Sequence, residues 1–210
     1  MAPARTILGA GAAKARNAPT TMTDDPDSIR TASPEIVVEV RTSSPLWQAH
    51  LPEAPALVER AARAALACAG PGRTGASATL ETSFLLADDA QLRRLNRDFR
   101  NRDKPTNVLS FPAEDDGLAA PGEVDDTGPR LLGDVALAFE TIEREAAAQS
   151  KPLANHLSHL AVHGVLHLLG HDHAAPREAT RMERLEAEVL ASIGIADPYA
   201  PAGCSEEAVS

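Results

Sequence analysis

The chain has 210 residues, which suits one hydrophobic core with some excess at the ends. Hydrophobic residues make up 43% of it, but no uninterrupted apolar run approaches the roughly 18 residues needed to cross a bilayer, so no membrane partner is expected. The formal net charge of −10 argues against broad, non-specific nucleic-acid binding, because phosphate affinity comes mainly from accumulated Lys and Arg. Two cysteines, Cys68 and Cys204, are too few for a disulfide framework or a cysteine metal cluster, and a reducing, cytoplasmic setting is expected.

Residues 1–33 are rich in Ala, Thr, Pro and Arg, show no sustained period, and read as a disordered extension. Their first 22 residues carry Arg5, Lys14 and Arg16 and no acid, superficially like a transit peptide, and a start at Met22 accounts for them equally well. The β-branched run from Glu35 to Arg41 predicts a strand, and the Ala-rich stretch from about Glu53 to Ala69 a helix. A second strand is expected over Ser77–Leu86, then a helix capped by Asp88 and running to about Phe99, then a short strand over Asn107–Phe111 closed by Pro112. After a loop rich in Gly, Pro and acids, from Glu114 to Pro129, Asp134–Ala138 predicts a fourth strand antiparallel to the third. Helices over about Glu140–Gln149, Pro152–Leu169 and Pro176–Ile193 complete the pattern, and residues 197–210 read as a flexible tail. The expected architecture is a single α/β (α+β) domain over residues 34–196, a small mixed four-stranded sheet packed by about five helices.

Six of the seven histidines fall between His156 and His173 of this otherwise His-poor chain. His163 and His167, four residues apart, project from one helix face one turn apart, as a first-row divalent metal requires of two imidazoles. Gly170 can take the left-handed conformation that ends a helix, which returns His173 toward the same face as a third ligand. Three neutral nitrogen ligands leave a position for water, whose pKa a Zn²⁺ ion would lower toward neutrality. For His156 and His159 taken singly, a packed, hydrogen-bonded core role is the simpler expectation.

The spacing H-x3-H-x2-G-x2-H matches that of the metzincin proteases, except that Gly164 stands where those enzymes carry a glutamate general base. Peptide hydrolysis then lacks its proton acceptor, which demotes a protease. An anionic substrate calls for a cation instead. Arg93, Arg94, Arg97, Arg100, Arg102 and Lys104 form a local basic segment, and Arg100, beside the third strand, is the best candidate to clamp a phosphate with its planar fork.

The segment His163-Gly-Val-Leu-His-Leu-Leu-Gly-His-Asp-His173 resembles the signature of the YbeY endoribonucleases, bacterial rRNA maturation factors. Leu95-Asn-Arg-Asp-Phe-Arg-Asn-Arg-Asp-Lys-Pro-Thr-Asn-Val-Leu-Ser-Phe-Pro112 and Leu132-Gly-Asp-Val135 resemble two further blocks of that family, in order, so that the likeness spans roughly residues 35 to 195. The resemblance implies one Zn²⁺ per chain held by His163, His167 and His173, with Arg100 as the functional arginine. Three imidazoles suit other first-row metals too, Ni²⁺ among them. It further implies a single-strand-specific endoribonuclease acting in maturation of the 3′ end of 16S rRNA and in ribosome quality control. The partners implied are single-stranded rRNA, contacted also by Arg97, Arg102 and Lys104, and the ribosome or small-subunit proteins. The chain departs from the family pattern in its long N-terminal extension and at His171, where tyrosine is usual. His171 could touch the metal, replace the aromatic residue or aid proton transfer. Two rival functions remain at this level: a metallohydrolase of another ester or of peptides, and a non-catalytic ribosome-assembly factor whose metal only holds its last helices.

Deleting residues 1–30 is expected to leave metal content and melting temperature nearly unchanged, since that segment lacks periodic apolar residues to join the core. A large fall in melting temperature would count against this boundary.

Overall fold

The computed structural model describes residues 34–70, 79–113 and 129–200; the extension, the acidic loop and the last ten residues lie outside the described residues. Among the described residues, four strands and six helices follow in the order β1 (Glu35–Thr42), α1 (Pro45–His50), α2 (Ala54–Ala69), β2 (Thr79–Ala87), α3 (Asp89–Arg100), β3 (Val108–Pro112), β4 (Pro129–Ala138), α4 (Phe139–Ala148), α5 (Leu153–Leu168) and α6 (Pro176–Ser192). The sheet order is β1-β2-β4-β3, with β1, β2 and β4 parallel and β3 antiparallel to β4. This is the mixed sheet expected from the sequence, with the antiparallel pair where it was expected.

Side chains alternating along β2 and β4 divide the interior into two layers. Phe84, Leu86, Val135 and Leu137 face the main core, built with α2, α5 and α6. Leu85, Ala87, Ala136 and Ala138 face a smaller core closed by Leu92 of α3. Alanines on this second face let α3 lie close to the sheet, so its C-terminus ends beside the edge strand β3. Asp88 caps α3 as expected, its side chain accepting from the Gln91 N–H at 2.7 Å. Asn101 ends the helix in the left-handed conformation with φ 55°.

Two elements differ from expectation. The six-residue α1 was not foreseen, being too short for a periodic signal; Ser44 caps it, Pro45 opens it, and Trp47 is buried edge-on against Phe139 with its indole N–H donated to the Ala87 carbonyl at 2.9 Å. β4 begins at Pro129 rather than near Asp134, because its first residues pair with β2 across a register shift at Glu81/Thr82. Among the described residues no helix is long and apolar enough to cross a membrane.

The helix that carries the histidines crosses the sheet at Gly164. A Cβ built there would stand 2.7 Å from Val135 Cγ1 and 3.4 Å from Ser110 Oγ, and the Ser110 hydroxyl donates to the Gly164 carbonyl at 3.2 Å. The position next to the first histidine is therefore filled by the sheet, which gives the absent glutamate a steric reason. Gly164→Ala is expected to destabilise the fold by about 1–3 kcal/mol, because overpacking against the buried, stiff Val135 outweighs the roughly 1 kcal/mol gained in helix propensity. Thermal melting checks this, and an unchanged or raised melting temperature would show that the contact relaxes freely.

Candidate metal centre and its cleft

α5 ends in a turn that only a residue with positive φ completes easily. Gly170 takes φ 76°, its N–H donates to the His167 carbonyl at 3.0 Å, and the His171 N–H donates to the Leu166 carbonyl at 2.9 Å. Those two bonds form the reversed pair of a Schellman turn, which redirects the chain back over the helix end. His173 is thereby brought to His163 and His167, with ring centroids 5.6 and 5.1 Å away. One ligand nitrogen from each of the three rings lies within 4.8 Å of the others, so the expected trio converges.

Hydrogen bonding decides which nitrogens face inward. His163 Nδ1 lies 2.7 Å from Glu186 Oε1, and His167 Nδ1 lies 3.0 Å from the His171 carbonyl oxygen. A carbonyl can only accept, so His167 Nδ1 donates and its Nε2 is left as an acceptor. The same holds for His163 against the Glu186 carboxylate. The two Nε2 atoms nevertheless lie 3.0 Å apart. Two lone pairs facing each other at that distance repel unless a cation lies between them. The donor set fits a divalent first-row metal held by three neutral imidazoles, two of them oriented from behind.

The electrostatics agree. Burial, with the charges of His163 and His173 next, pushes His167 down to about 4, so its ring is neutral and ready to ligate at physiological pH. Glu186 is buried to 1% exposure on α6, and its burial alone would raise its pKa. Hydrogen bonds from His159, His163 and Tyr199 outweigh that and hold it at about 2. The Tyr199 hydroxyl, which donates to Glu186, is pushed above the ordinary tyrosine range, first by burial and then by that carboxylate. Tyr199 belongs to the segment expected as a tail, yet its first residues, 197–200, are described, and Lys151 Nζ donates to the Pro198 carbonyl at 2.7 Å.

Glu186 is the main residue that sequence reasoning missed. A signal existed: it stands four residues after Met182 and three before Val189 on the buried stripe of α6, where a lone carboxylate needs a partner. His171 is also clarified. It is buried at 8% exposure and lies outside the converging trio, and its backbone carbonyl orients His167.

A cleft of about 440 Å³ opens over the three histidines and is lined also by Arg100, Ser110 and Asp172. Arg100 reaches it from α3 by passing round the edge of the sheet, donating Nη2 to the Ser110 carbonyl at 3.0 Å. Arg97, Arg102 and Lys104 are exposed and do not line it. Arg97 pairs with Asp98 at 2.9 Å, and Arg93 forms a two-pronged pair with Asp103 at 2.7 and 2.9 Å, so part of the basic segment is neutralised locally.

Replacing His163, His167 or His173 by Ala is expected to remove most bound metal, whereas His156→Ala leaves it. Glu186→Gln should weaken metal affinity roughly 10- to 100-fold, as loss of an orienting partner does. Competition with a chelating dye measures both, and tight binding of about one metal by all three histidine variants would overturn the coordination set.

The family model described as Endoribonuclease YbeY matches residues 53–194. A relative named Endoribonuclease YbeY from Rhodospirillum rubrum is 52% identical, over 77% of this chain and 80% of that one. Another of that name, from Rhodopseudomonas palustris strain BisB18, is 48% identical over 77% of this chain and 91% of its own length. A solution structure from Thermotoga maritima is 18% identical, covers 79% of this chain and 100% of its own, and gives a TM-score of 0.43. With most of its length matched by the family model and by relatives near half identity, the chain belongs to the YbeY endoribonuclease family.

Proposed function

We propose that this chain is an endoribonuclease of rRNA processing that hydrolyses phosphodiester bonds of single-stranded RNA with the help of one bound divalent metal. The observation that carries the reading is the sharing of one cleft by three convergent imidazoles and the Arg100 guanidinium. The substrate we infer is the 3′ region of 16S rRNA, met on the ribosome or its small-subunit proteins, in maturation and quality control.

His163, His167 and His173 would hold the metal, for which Zn²⁺ is the first candidate and Ni²⁺ also suits the donor set. Such an ion supplies Lewis acidity toward water and phosphoryl oxygens. The remaining work falls to the chain. Glu186 and the His171 carbonyl keep two ligand rings in one tautomer. Arg100, tethered through one nitrogen to the Ser110 carbonyl, has the rest of its fork for a phosphate, where it would bind the scissile group and stabilise charge gathering on it. Arg97, Arg102 and Lys104, exposed beyond the cleft, would meet the RNA backbone as it leaves.

Of the rival functions, peptide hydrolysis is opposed by the packing of Gly164 on Val135, which leaves no room for a glutamate base at the position after the first histidine. A metal serving only as a structural clamp makes a different forecast: its removal would unfold the domain, whereas a catalytic site loses cleavage and keeps its fold.

Arg100→Ala is expected to keep metal and melting temperature while slowing cleavage of single-stranded RNA roughly a hundredfold or more, the usual scale for one oxyanion donor. Arg100→Lys should recover only part, because a point-like ammonium replaces a planar fork. Arg93→Ala serves as the control and should change only salt-dependent binding, slightly. Wild-type turnover by Arg100→Ala at saturating RNA would make the basic segment a docking surface and nothing more.

A further inference from the structure

On the other side of His163 lies a second cleft, of about 480 Å³, within the ordinary size range of small-ligand sites. It shares Asn107, Val108 and His163 with the metal cleft, so the two spaces are divided by one wall. A strand whose phosphate sits at the histidines can carry a neighbouring nucleoside across that wall.

The second cleft is built to take a base rather than another phosphate. Its anionic group is Glu145, with its side chain 34% exposed. Glu145 Oε2 accepts from Asn107 Nδ2 at 2.9 Å and pairs with His156 Nε2 at 3.0 Å. Asn107 is itself locked, since its Oδ1 accepts the Val108 N–H at 2.7 Å. The carboxylate is thus fixed by two neighbours through one oxygen, while Oε1 has no hydrogen-bond partner among the described residues. Lys151 keeps its charge while donating to the Pro198 carbonyl at 2.7 Å, but the Glu145 carboxylate in the same lining opposes a phosphate there. In the same lining, Tyr199 is 45% exposed as a residue, its ring held edge-on to His159 at 5.5 Å and 85° and anchored through its hydroxyl to Glu186. A part-exposed aromatic ring fixed at its far end and lining the cleft can serve as a stacking platform for a nucleobase.

Among the four RNA bases, only guanine presents two adjacent N–H donors, at N1 and N2, on its Watson–Crick edge. Adenine and cytosine each present one amino group beside an acceptor nitrogen, and uracil one N–H between two carbonyls that a carboxylate would repel. We propose that this second cleft is a guanine subsite for the nucleotide adjoining the scissile phosphate, with the open oxygen of Glu145, Oε1, accepting from N1–H and N2–H together and Tyr199 stacking on the base. The subsite rests on the RNA-cleaving function inferred above, and binding and cleavage test the two separately.

Isothermal titration of metal-loaded protein with guanosine, inosine and adenosine 5′-monophosphates probes the subsite with ligands that hold no internal phosphodiester. Guanosine monophosphate should bind roughly tenfold or more tighter than adenosine monophosphate, with inosine monophosphate, which lacks the N2 amino group, between them. Glu145→Gln should collapse the difference while metal content stays at wild type. In the cleavage arm, short RNAs differing in one guanosine, inosine or adenosine should be cut fastest beside guanosine. Equal affinities for the three nucleotides, or a guanine preference that survives Glu145→Gln, overturn the subsite. Cleavage indifferent to the base likewise removes it and leaves the nuclease function standing, whereas nucleotide discrimination with no RNA cleavage upholds the guanine site and removes the nuclease function. Should Glu145→Gln melt early, the guanosine and inosine comparison on the wild-type protein decides alone.

Discussion

Two imidazole nitrogens that can only accept are held 3.0 Å apart at the end of α5, and much of the molecule is arranged to keep them there. One ring is fixed by a backbone carbonyl that the Gly170 turn places behind it, the other by a carboxylate that α6 brings to 1% exposure. Burying that carboxylate costs free energy unless its oxygens are satisfied, and His159, His163 and Tyr199 together satisfy them. The C-terminal segment through Tyr199 is thereby tied to the metal centre, although it lies 26 residues beyond the last ligand in the sequence. An apolar residue at position 186 would pack α6 as well, but it would leave the His163 ring free to rotate.

The opposite face of α5 answers to a different demand. It lies on β3 and β4, and at Gly164 the approach is too close for a side chain to fit without a shift. A helix with His163 and His167 on one side and the sheet on the other has no room at the position after the first histidine for a glutamate of its own. The ligand spacing of the metzincins is kept, and the place of their general base is filled by Val135.

The edge position of β3 makes the cleft. Its alternate residues bond to β4, framed by the Ala138 N–H to the Asn107 carbonyl and the Ala113 N–H to the Leu132 carbonyl. The residues between them, Val108, Ser110 and Pro112, turn their backbone outward and line the metal cleft. Pro112 brings no N–H to that open edge, and the Ser110 carbonyl is taken by Arg100, so two devices blunt a strand that could otherwise pair with another chain. The same bond sets where the guanidinium can act: α3 lies on the far face of the sheet, and its last residue enters the cleft only by reaching round this edge.

Much of this was legible in the sequence because it is local. Helix periodicity set His163 and His167 on one face, a glycine three residues later foretold the turn that returns His173, and Asp88, Pro176 and the β-branched runs marked where elements begin. The same one-dimensional signals placed Arg100 beside the third strand. They did not yield α1, whose six residues are held by Trp47 packing on Phe139, nor the start of β4, which depends on pairing with β2. Glu186, Tyr199 and the Glu145 carboxylate gain their meaning from contacts with α5 and β3 across 11 to 40 residues of chain. Spacing along one helix determined that His163 and His167 share a face, since 3.6 residues per turn fixes which side chains do so. The tertiary structure alone decided what stands behind those ligands and beside them, because a hydrogen bond between helices depends on how they pack and no period along the chain encodes it.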